Sequence, residues 1–311
     1  MQPQGILILG GTGFVGRQLI KHLQSFNLDI YVLARSAHLL PKLPNIEYYR
    51  DSLDNITLLN KLLPRCKTVF HLASDSTPGS SASQPTFEIS NNLLPTLRFL
   101  EVLQQYNQVH LIYVSSGGAV YGNPNTDLVK EDTALTPLSY YGAGKAALEK
   151  FIIAFAQQTQ CFATILRPSN FYGPEQPYRT GFGIVSTVFE YMRANKPLSI
   201  WGDGENVRDY LYISDFIDLC VKLIEQPINS AITQIYNVGS GQGTTLNQLC
   251  DLIKKVTQLP VIRKYQPSRT VDVRRIVLDC TKVYNHYQWS PKTNLPKGLE
   301  LTWQWFNTLN H

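Results

Sequence analysis

The sequence predicts an α/β protein built on a doubly wound parallel sheet. Short apolar, β-branched runs alternate with helical patterns through the first half of the 311-residue chain, and a glycine-rich turn joins the first run to the first helix. Strands of a parallel sheet are buried on both faces, so they appear as unbroken apolar runs. Ligands of such sheets bind at the carboxyl ends of the strands, where we expect the site.

Five apolar runs in the first half predict strands of this sheet. In chain order they are residues 6–9, 30–33, 68–73, 109–114 and 164–167. Helices are predicted over 92–105, where leucines recur on or near one face, and from Tyr140 to about Gln157. This alternation of strands and helices predicts parallel pairing through crossover helices.

The pattern changes after Pro168 to turns and shorter elements, among them a strand at 235–238 and a helix at 245–256. We therefore predict a Rossmann-type sheet with a smaller C-terminal α/β lobe that binds the substrate. The predicted dinucleotide-binding domain covers 1–168, rejoined by about 209–238, and the substrate lobe covers 169–208 and 239–311.

The first turn is spaced to bind a dinucleotide. Gly10, Gly13 and Gly16 follow the apolar run 6–9 in a G-x-x-G-x-x-G pattern and open a helix. Gly10 permits the tight turn, Gly13 lets the backbone approach a pyrophosphate, and Gly16 allows helix and strand to pack closely. The helix N-terminus then faces the phosphates.

The choice between NAD and NADP stays open after the second strand. That strand ends in Ala34-Arg35-Ser36 and lacks the acid that would accept from the ribose hydroxyls of NAD. Arg35 suits the 2′-phosphate of NADP, or alternatively a solvated position where it stacks on adenine.

Tyr141 and Lys145 form a second candidate group. Spaced four residues apart on a helix, they share one face, so the lysine charge is expected to lower the pKa of the phenol from its usual value near 10. Ser115 and Ser116 follow the strand 109–114, and a hydroxyl there would hold the reacting oxygen. Together these residues could move a proton on or off an alcohol oxygen while hydride moves elsewhere.

Composition narrows the ligand class. The chain is 43% apolar and 16% charged, with a net charge of +5, and its basic residues are scattered, which favours a small anionic ligand over nucleic acid. Its five cysteines fit no metal or disulfide spacing. No run approaches 18 apolar residues and the start lacks a signal pattern, so we expect a cytoplasmic protein without a membrane partner.

Over essentially its whole length, the chain resembles the extended short-chain dehydrogenase/reductase family, especially nucleotide-sugar epimerases of the UDP-glucose 4-epimerase type. The matching motifs are the glycine turn 10–16, Asp51-Ser52, His71-Leu72-Ala73-Ser74, Asn92 with Thr96, Ser115-Ser116 with Val120-Tyr121-Gly122, Tyr141 with Lys145, residues 166–170, Tyr172-Gly173-Pro174, residues 202–210, Arg269 through Asp272, and residues 289–291 with 298–299.

The resemblance implies a role for each matching residue. The pyrophosphate would be held by Gly10, Gly13, Phe14, Val15 and Gly16, and the rest of the cofactor would contact Arg35, Asp51, Ser52, Leu72, Ala73, Ser74, Asn92, Tyr141, Lys145 and Pro168. Tyr141 would be the base, Lys145 the ribose anchor and Ser116 their hydroxyl partner. The sugar nucleotide would meet Ser116, Asn170, Arg208 and Arg269. The two arginines also suit a diphosphate on chemical grounds, because guanidinium groups meet phosphate oxygens bidentately.

The chain departs from the family pattern in the serine loop. The usual catalytic Ser or Thr position falls on Gly117, so Ser116 is expected to take the role, with Ser115 as the alternative. The acidic pair that the family's dehydratases carry after this hydroxyl is replaced by Gly117 and Gly118, which disfavours dehydration.

We therefore expect an NAD-dependent 4-epimerase of a UDP-hexose type nucleotide sugar, acting by reversible hydride transfer through a 4-keto intermediate. The alternatives are an NADPH-dependent reductase of a keto sugar or other carbonyl, and a non-catalytic dinucleotide-sensing protein. NAD is favoured, with NADP left open. The resemblance also implies a homodimer built on the helices that begin near Asn92 and Tyr140.

Overall fold

The computed structural model describes residues 4–36, 43–77, 84–178, 182–227, 232–269 and 272–309. The strands are β1 Gly5–Leu9, β2 Ile30–Leu33, β3 Ile46–Tyr49, β4 Cys66–His71, β5 His110–Val114, β6 Ala163–Pro168, β7 Asn170–Tyr172, β8 Leu198–Trp201, β9 Val207–Tyr212, β10 Thr233–Val238, β11 Gly243–Thr245, β12 Arg263–Gln266 and β13 Arg275–Ile276. The α-helices are α1 Phe14–Leu23, α2 Ile56–Leu62, α3 Pro85–Glu88, α4 Leu94–Leu103, α5 Gly117–Val120, α6 Tyr140–Thr159, α7 Ile184–Arg193, α8 Ile213–Glu225, α9 Leu246–Thr257, α10 Thr281–Tyr287 and α11 Leu295–Asn307.

The large sheet has seven parallel strands in the order β10-β6-β5-β4-β1-β2-β3. The chain proceeds outward from β1 in one direction through β2 and β3, and in the other through β4, β5 and β6. Strand order therefore reverses between β1 and β4, and ligands of doubly wound sheets bind at such a reversal. This topology confirms the predicted fold class.

Helices cover both faces of this sheet and bury its apolar side chains. One core includes Leu19 and Ile20 of α1 with Phe216 of α8, and the opposite core includes Phe99 of α4 with Ile152 of α6. Burying each such side chain contributes about 1.5–3 kcal/mol. Because helices pack on both faces, a ligand can reach this sheet at the ends of its strands, and doubly wound sheets bind ligands at the carboxyl ends.

The second half of the chain forms a smaller lobe and also returns to the large sheet. Strand β9 pairs with β7, β11 and β13, and β8 pairs with β12, over a separate core that includes Phe189 and Phe306. Strand β10 then pairs with β6 in the large sheet. The proposed division of the chain into two domains at the predicted boundaries stays a prediction.

Most predicted elements differ from the structure by one or two residues at an end, and two of these differences lie near the site. The strand predicted at 68–73 ends at His71, so Leu72 and Ala73 leave the sheet at its carboxyl edge. The helix predicted at 92–105 is shorter, and a π-helix, Ile89–Leu93, joins α3 to α4. Within the described residues, no helix is long and apolar enough to cross a membrane.

Candidate active site

The glycine turn between β1 and α1 leaves no room for a side chain at Gly10 or Gly16. Gly10 has a φ of +84°, and a Cβ there would lie 2.7 Å from the backbone of Ala73. A Cβ on Gly16 would lie 2.5 Å from the Cα of Gly11. Helix α1 begins at Phe14, with Gly13 as a cap that has no side chain, so its first N–H groups remain available to an anion. The turn therefore fits the pyrophosphate of a dinucleotide.

A cavity of about 580 Å³ lies beside this turn, at the carboxyl ends of the strands. We call it the cofactor cleft. Nine of the predicted cofactor residues line it, namely Gly10, Gly13, Arg35, Asp51, Ser52, Leu72, Ala73, Ser74 and Asn92. Of the others, Phe14, Val15 and Gly16 form the start of α1, and Pro168 lines a second cavity. The polar and glycine-rich lining fits a dinucleotide.

Sequence reasoning missed two acids in this cleft, Asp54 and Asp75. Asp75, four residues beyond the end of β4, accepts a hydrogen bond from the guanidinium of Arg35. No sequence pattern signals this contact, because the two residues follow different strands.

The second cavity, of about 410 Å³, holds both the predicted proton-transfer residues and the two arginines. We call it the arginine cavity. Its lining includes Ser116, Tyr141, Pro168, Asn170, Arg208 and Arg269. The structure thus brings residues from five separate parts of the chain together at one place.

Tyr141 and Lys145 share a face of α6, which begins at Tyr140 behind the cap Ser139. The Tyr141 hydroxyl shares a hydrogen bond with Ser116. Lys145 is buried, its Nζ donates to the carbonyl of Val114 at 3.0 Å, and Nζ lies 5.9 Å from the centre of the Tyr141 ring. Ser116 and Tyr141 line the arginine cavity, whereas the buried Lys145 is not part of the lining of either cavity.

The pKa of Tyr141 runs opposite to the direction expected from the sequence. Burial raises it to about 12, while the hydrogen bond from Ser116 lowers it and the charge of Glu88 raises it. For Lys145, burial has the opposite effect and lowers the pKa to about 8, whereas the charges of Glu88 and Glu149 raise it. The expected lowering of the tyrosine pKa is therefore wrong in this structure, because desolvation by burial outweighs the opposing hydrogen bond from Ser116.

Ser115 and Ser116 have different partners. Ser115 donates its hydroxyl to the carboxylate of Glu149. That carboxylate also accepts from Arg167, through Nε at 3.0 Å and Nη2 at 2.7 Å. Ser115 is thus held in a buried ion-pair network, whereas Ser116 contacts Tyr141.

The two arginines of the cavity differ in their surroundings. Arg208 donates to the carbonyl of Val207, and burial lowers its pKa. Arg269 pairs with Asp272 at 2.8 Å and lies 5.0 Å from the centre of the Trp201 ring. Trp201 also lines the cavity and was not predicted, because a single tryptophan before a turn carries no distinguishing pattern. Two cationic groups on one cavity wall suit a diphosphate.

Comparison with known proteins agrees with this geometry. The model of the NAD dependent epimerase/dehydratase family matches residues 6–239. A putative UDP-glucose 4-epimerase of Methanocaldococcus jannaschii is 29% identical, covering 98% of this chain and 99% of that protein. The dTDP-4-dehydro-6-deoxyglucose reductase of Escherichia coli is 30% identical, covering 96% of each.

Two solved structures share the whole fold. The UDP-glucose 4-epimerase of Thermotoga maritima with UDP-glucose is 32% identical, with a TM-score of 0.89, and covers 99% of this chain and 100% of that one. The UDP-glucose 4-epimerase of Thermus thermophilus in complex with NAD is 29% identical, with a TM-score of 0.87, and covers 97% and 98%. The matched family region includes the glycine turn, the large sheet and the helix that carries Tyr141 and Lys145, so the chain belongs to the NAD dependent epimerase/dehydratase family, as its resemblance predicted.

Proposed function

We propose that this protein is an NAD-dependent 4-epimerase of a UDP-hexose type nucleotide sugar. The observation that carries the proposal is the presence of Tyr141 and Ser116 in one cavity with Arg208 and Arg269. That cavity pairs a proton-transfer group with a diphosphate clamp. The full-length similarity to UDP-glucose 4-epimerases, one bound to UDP-glucose and one to NAD, supports both the substrate class and the cofactor.

In the proposed reaction, bound NAD supplies the acceptor, and later the donor, of the hydride at C4 of the sugar. Tyr141 takes the proton of the 4-hydroxyl group and returns it in the second half of the reaction. Ser116 holds the sugar oxygen at the Tyr141 phenolate, and the Lys145 ammonium stabilises the negative charge that this phenolate carries before it accepts the proton. Arg208 and Arg269 hold the diphosphate while the 4-keto sugar rotates. They keep the sugar close to Tyr141 and take no part in the bond changes.

The reductase alternative has one supporting observation, the 30% identity to an Escherichia coli reductase of a 4-keto sugar nucleotide. Against it, Arg35, its best candidate for a 2′-phosphate contact, is already paired with Asp75. The non-catalytic alternative is opposed by the intact Tyr141, Lys145 and Ser116.

The test is turnover of UDP-glucose by purified protein without added cofactor, together with identification of the cofactor released on denaturation. Formation of UDP-galactose with tightly held NAD would support the proposal. Oxidation of added NADPH by a 4-keto sugar, without epimerisation, would overturn it in favour of the reductase. The Tyr141→Phe variant is the control for a contaminating enzyme.

We also propose that the protein is a homodimer. Four apolar side chains beside and on α4 and α6 are between 42% and 57% exposed, namely Ile89, Leu94, Tyr140 and Phe151. A second copy would cover them, since the same surface on two copies can pair around a two-fold axis.

A further inference from the structure

Glu88 is a buried acid with an incomplete set of partners. It ends the short helix α3 and is 5% exposed. Its Oε2 accepts from the amide of Asn92 at 2.9 Å, whereas Oε1 has no hydrogen-bond partner among the described residues. An unpaired buried carboxylate oxygen is costly, so its persistence needs an electrostatic or functional reason.

The carboxylate of Glu88 packs against the turn of α6 between Tyr141 and Lys145. A Cβ placed on Gly144 would lie 2.8 Å from Oε2 of Glu88. The glycine immediately before Lys145 therefore leaves the space that Glu88 occupies.

Lys145 has few charged neighbours to balance its ammonium group. Glu88 faces it from α3 and Glu149 from α6, and Tyr113 of β5 and His71 of β4 are the uncharged titratable groups beside it, with Tyr141 on its own helix. Glu149 is already neutralised by its ion pair with Arg167. Glu88 has no ion pair within the described residues, so it is the acid left to balance Lys145.

Glu88 also contacts Asn92, which lines the cofactor cleft. The amide of Asn92 donates to Glu88 and to the hydroxyl of Ser76, and its oxygen accepts from the backbone of Asp75. One carboxylate thus contacts both the helix that bears Lys145 and the side chain that fixes the loop after β4.

We propose that Glu88 is a positioning residue of the epimerase: its carboxylate is the counter-charge that keeps Lys145 protonated, and through Asn92 it holds the loop after β4 that lines the cofactor cleft. This inference rests on the proposed function. Burial lowers the pKa of Lys145 to about 8, and the charge of Glu88 is the first of the contributions that oppose this shift. Removing that charge lets Lys145 lose its proton at a lower pH.

The test compares Glu88→Gln with wild type in the presence of NAD. Glutamine keeps an oxygen for Asn92, removes the charge and replaces the other carboxylate oxygen with an NH2 group of similar size. We expect the alkaline limb of the pH–rate profile to move to lower pH by roughly one unit, and the titration of Lys145, followed by ¹³C NMR of its Cε and assigned with Lys145→Arg, to move equally. Glu101→Gln removes a charge from an exposed position on α4 and should move neither.

Gly144→Ala provides a second variant in case Glu88→Gln does not fold. Its added methyl group would displace the Glu88 carboxylate while keeping every charge in the chain, so we expect a smaller shift in the same direction. An unchanged alkaline limb and an unchanged Lys145 titration in either folded variant would overturn the inference. If wild type fails to epimerise, the proposed function is wrong, and the Lys145 titration still tests Glu88.

Discussion

Arg35 and Asp75 form an ion pair at the rim of the cofactor cleft, although they follow strands that are not neighbours. Arg35 follows β2 and Asp75 lies beyond β4, and β1 runs between these strands. The ion pair therefore spans the carboxyl end of β1, where the glycine turn begins. The sequence has no acid directly after β2, but Asp75, from the loop after β4, lies beside Arg35. The carboxylate of Asp75 neutralises the arginine that could have favoured NADP.

We expect Asp75→Asn to improve NADP binding relative to NAD by about tenfold, equivalent to about 1.4 kcal/mol, because Arg35 is then free to meet a 2′-phosphate. Titration of cofactor-stripped protein with each dinucleotide measures the ratio. The double variant with Arg35→Ala should lose the gain. If wild type already binds NADP tenfold more tightly than NAD, the reductase hypothesis moves ahead of the epimerase.

Tyr141→Phe should abolish turnover and leave NAD bound, because the phenol provides the proton path while the ring keeps its packing. General acid–base groups give about 10²–10⁴-fold in rate. Steady-state kinetics and the cofactor content of the purified variant check this. A variant that keeps more than about a tenth of the rate would show that another group moves the proton.

Ser116→Ala should reduce kcat more than Ser115→Ala, since Ser116 contacts Tyr141 and Ser115 contacts Glu149. Ser115→Ala should instead lower the free energy of unfolding by about 1–3 kcal/mol, because Glu149 loses a hydrogen-bond donor in a buried position. Kinetics and urea denaturation of both variants separate the two roles. The opposite order of kcat would assign the catalytic hydroxyl to Ser115.

Two buried histidines should make the protein less stable below neutral pH. Burial lowers the pKa of His71 to about 3 and that of His110 to about 4. As the pH falls below about 6.5, the unfolded chain binds protons at these residues and the folded protein does not, so each lowers the free energy of unfolding by about 1.4 kcal/mol per pH unit.

Urea denaturation at pH 7, 6 and 5 measures how the free energy of unfolding changes with pH. In His110→Gln this change should be smaller by about 1.4 kcal/mol per pH unit, because one fewer proton binds on unfolding. An equal slope in that variant and in wild type would mean that His110 titrates normally in the folded protein.

Phe151→Asp should convert the proposed dimer into a monomer, because Phe151 is 49% exposed on α6 and a charge there would oppose burial by a second copy. Light scattering at micromolar concentration reports the mass. Leu259→Asp, at an exposed apolar position outside α4 and α6, is the matched control. A wild-type monomer at this concentration would contradict the dimer itself.

Local sequence patterns determined most of the large sheet. The runs that became β1 and β2 are apolar throughout, and those that became β5 and β6 are mostly apolar, because strands covered on both faces have no solvent side. Strand β3 was not predicted, since only its first residue is fully buried and Glu47 is exposed, which leaves no continuous apolar run. The glycine turn and the Tyr141–Lys145 pair could also be predicted, because each lies within one turn or one helix and is defined by its spacing along the chain.

Tertiary structure alone decided how those residues are charged and partnered. The pairing of Arg35 with Asp75, of Ser115 with Glu149, and the place of Glu88 against Gly144 all join residues far apart in the chain. The direction of the Tyr141 pKa shift is set by the burial of the phenol and not by the spacing of Tyr141 and Lys145 on the helix. Spacing fixes which side chains share a face, but desolvation and counter-charges depend on everything that packs around them.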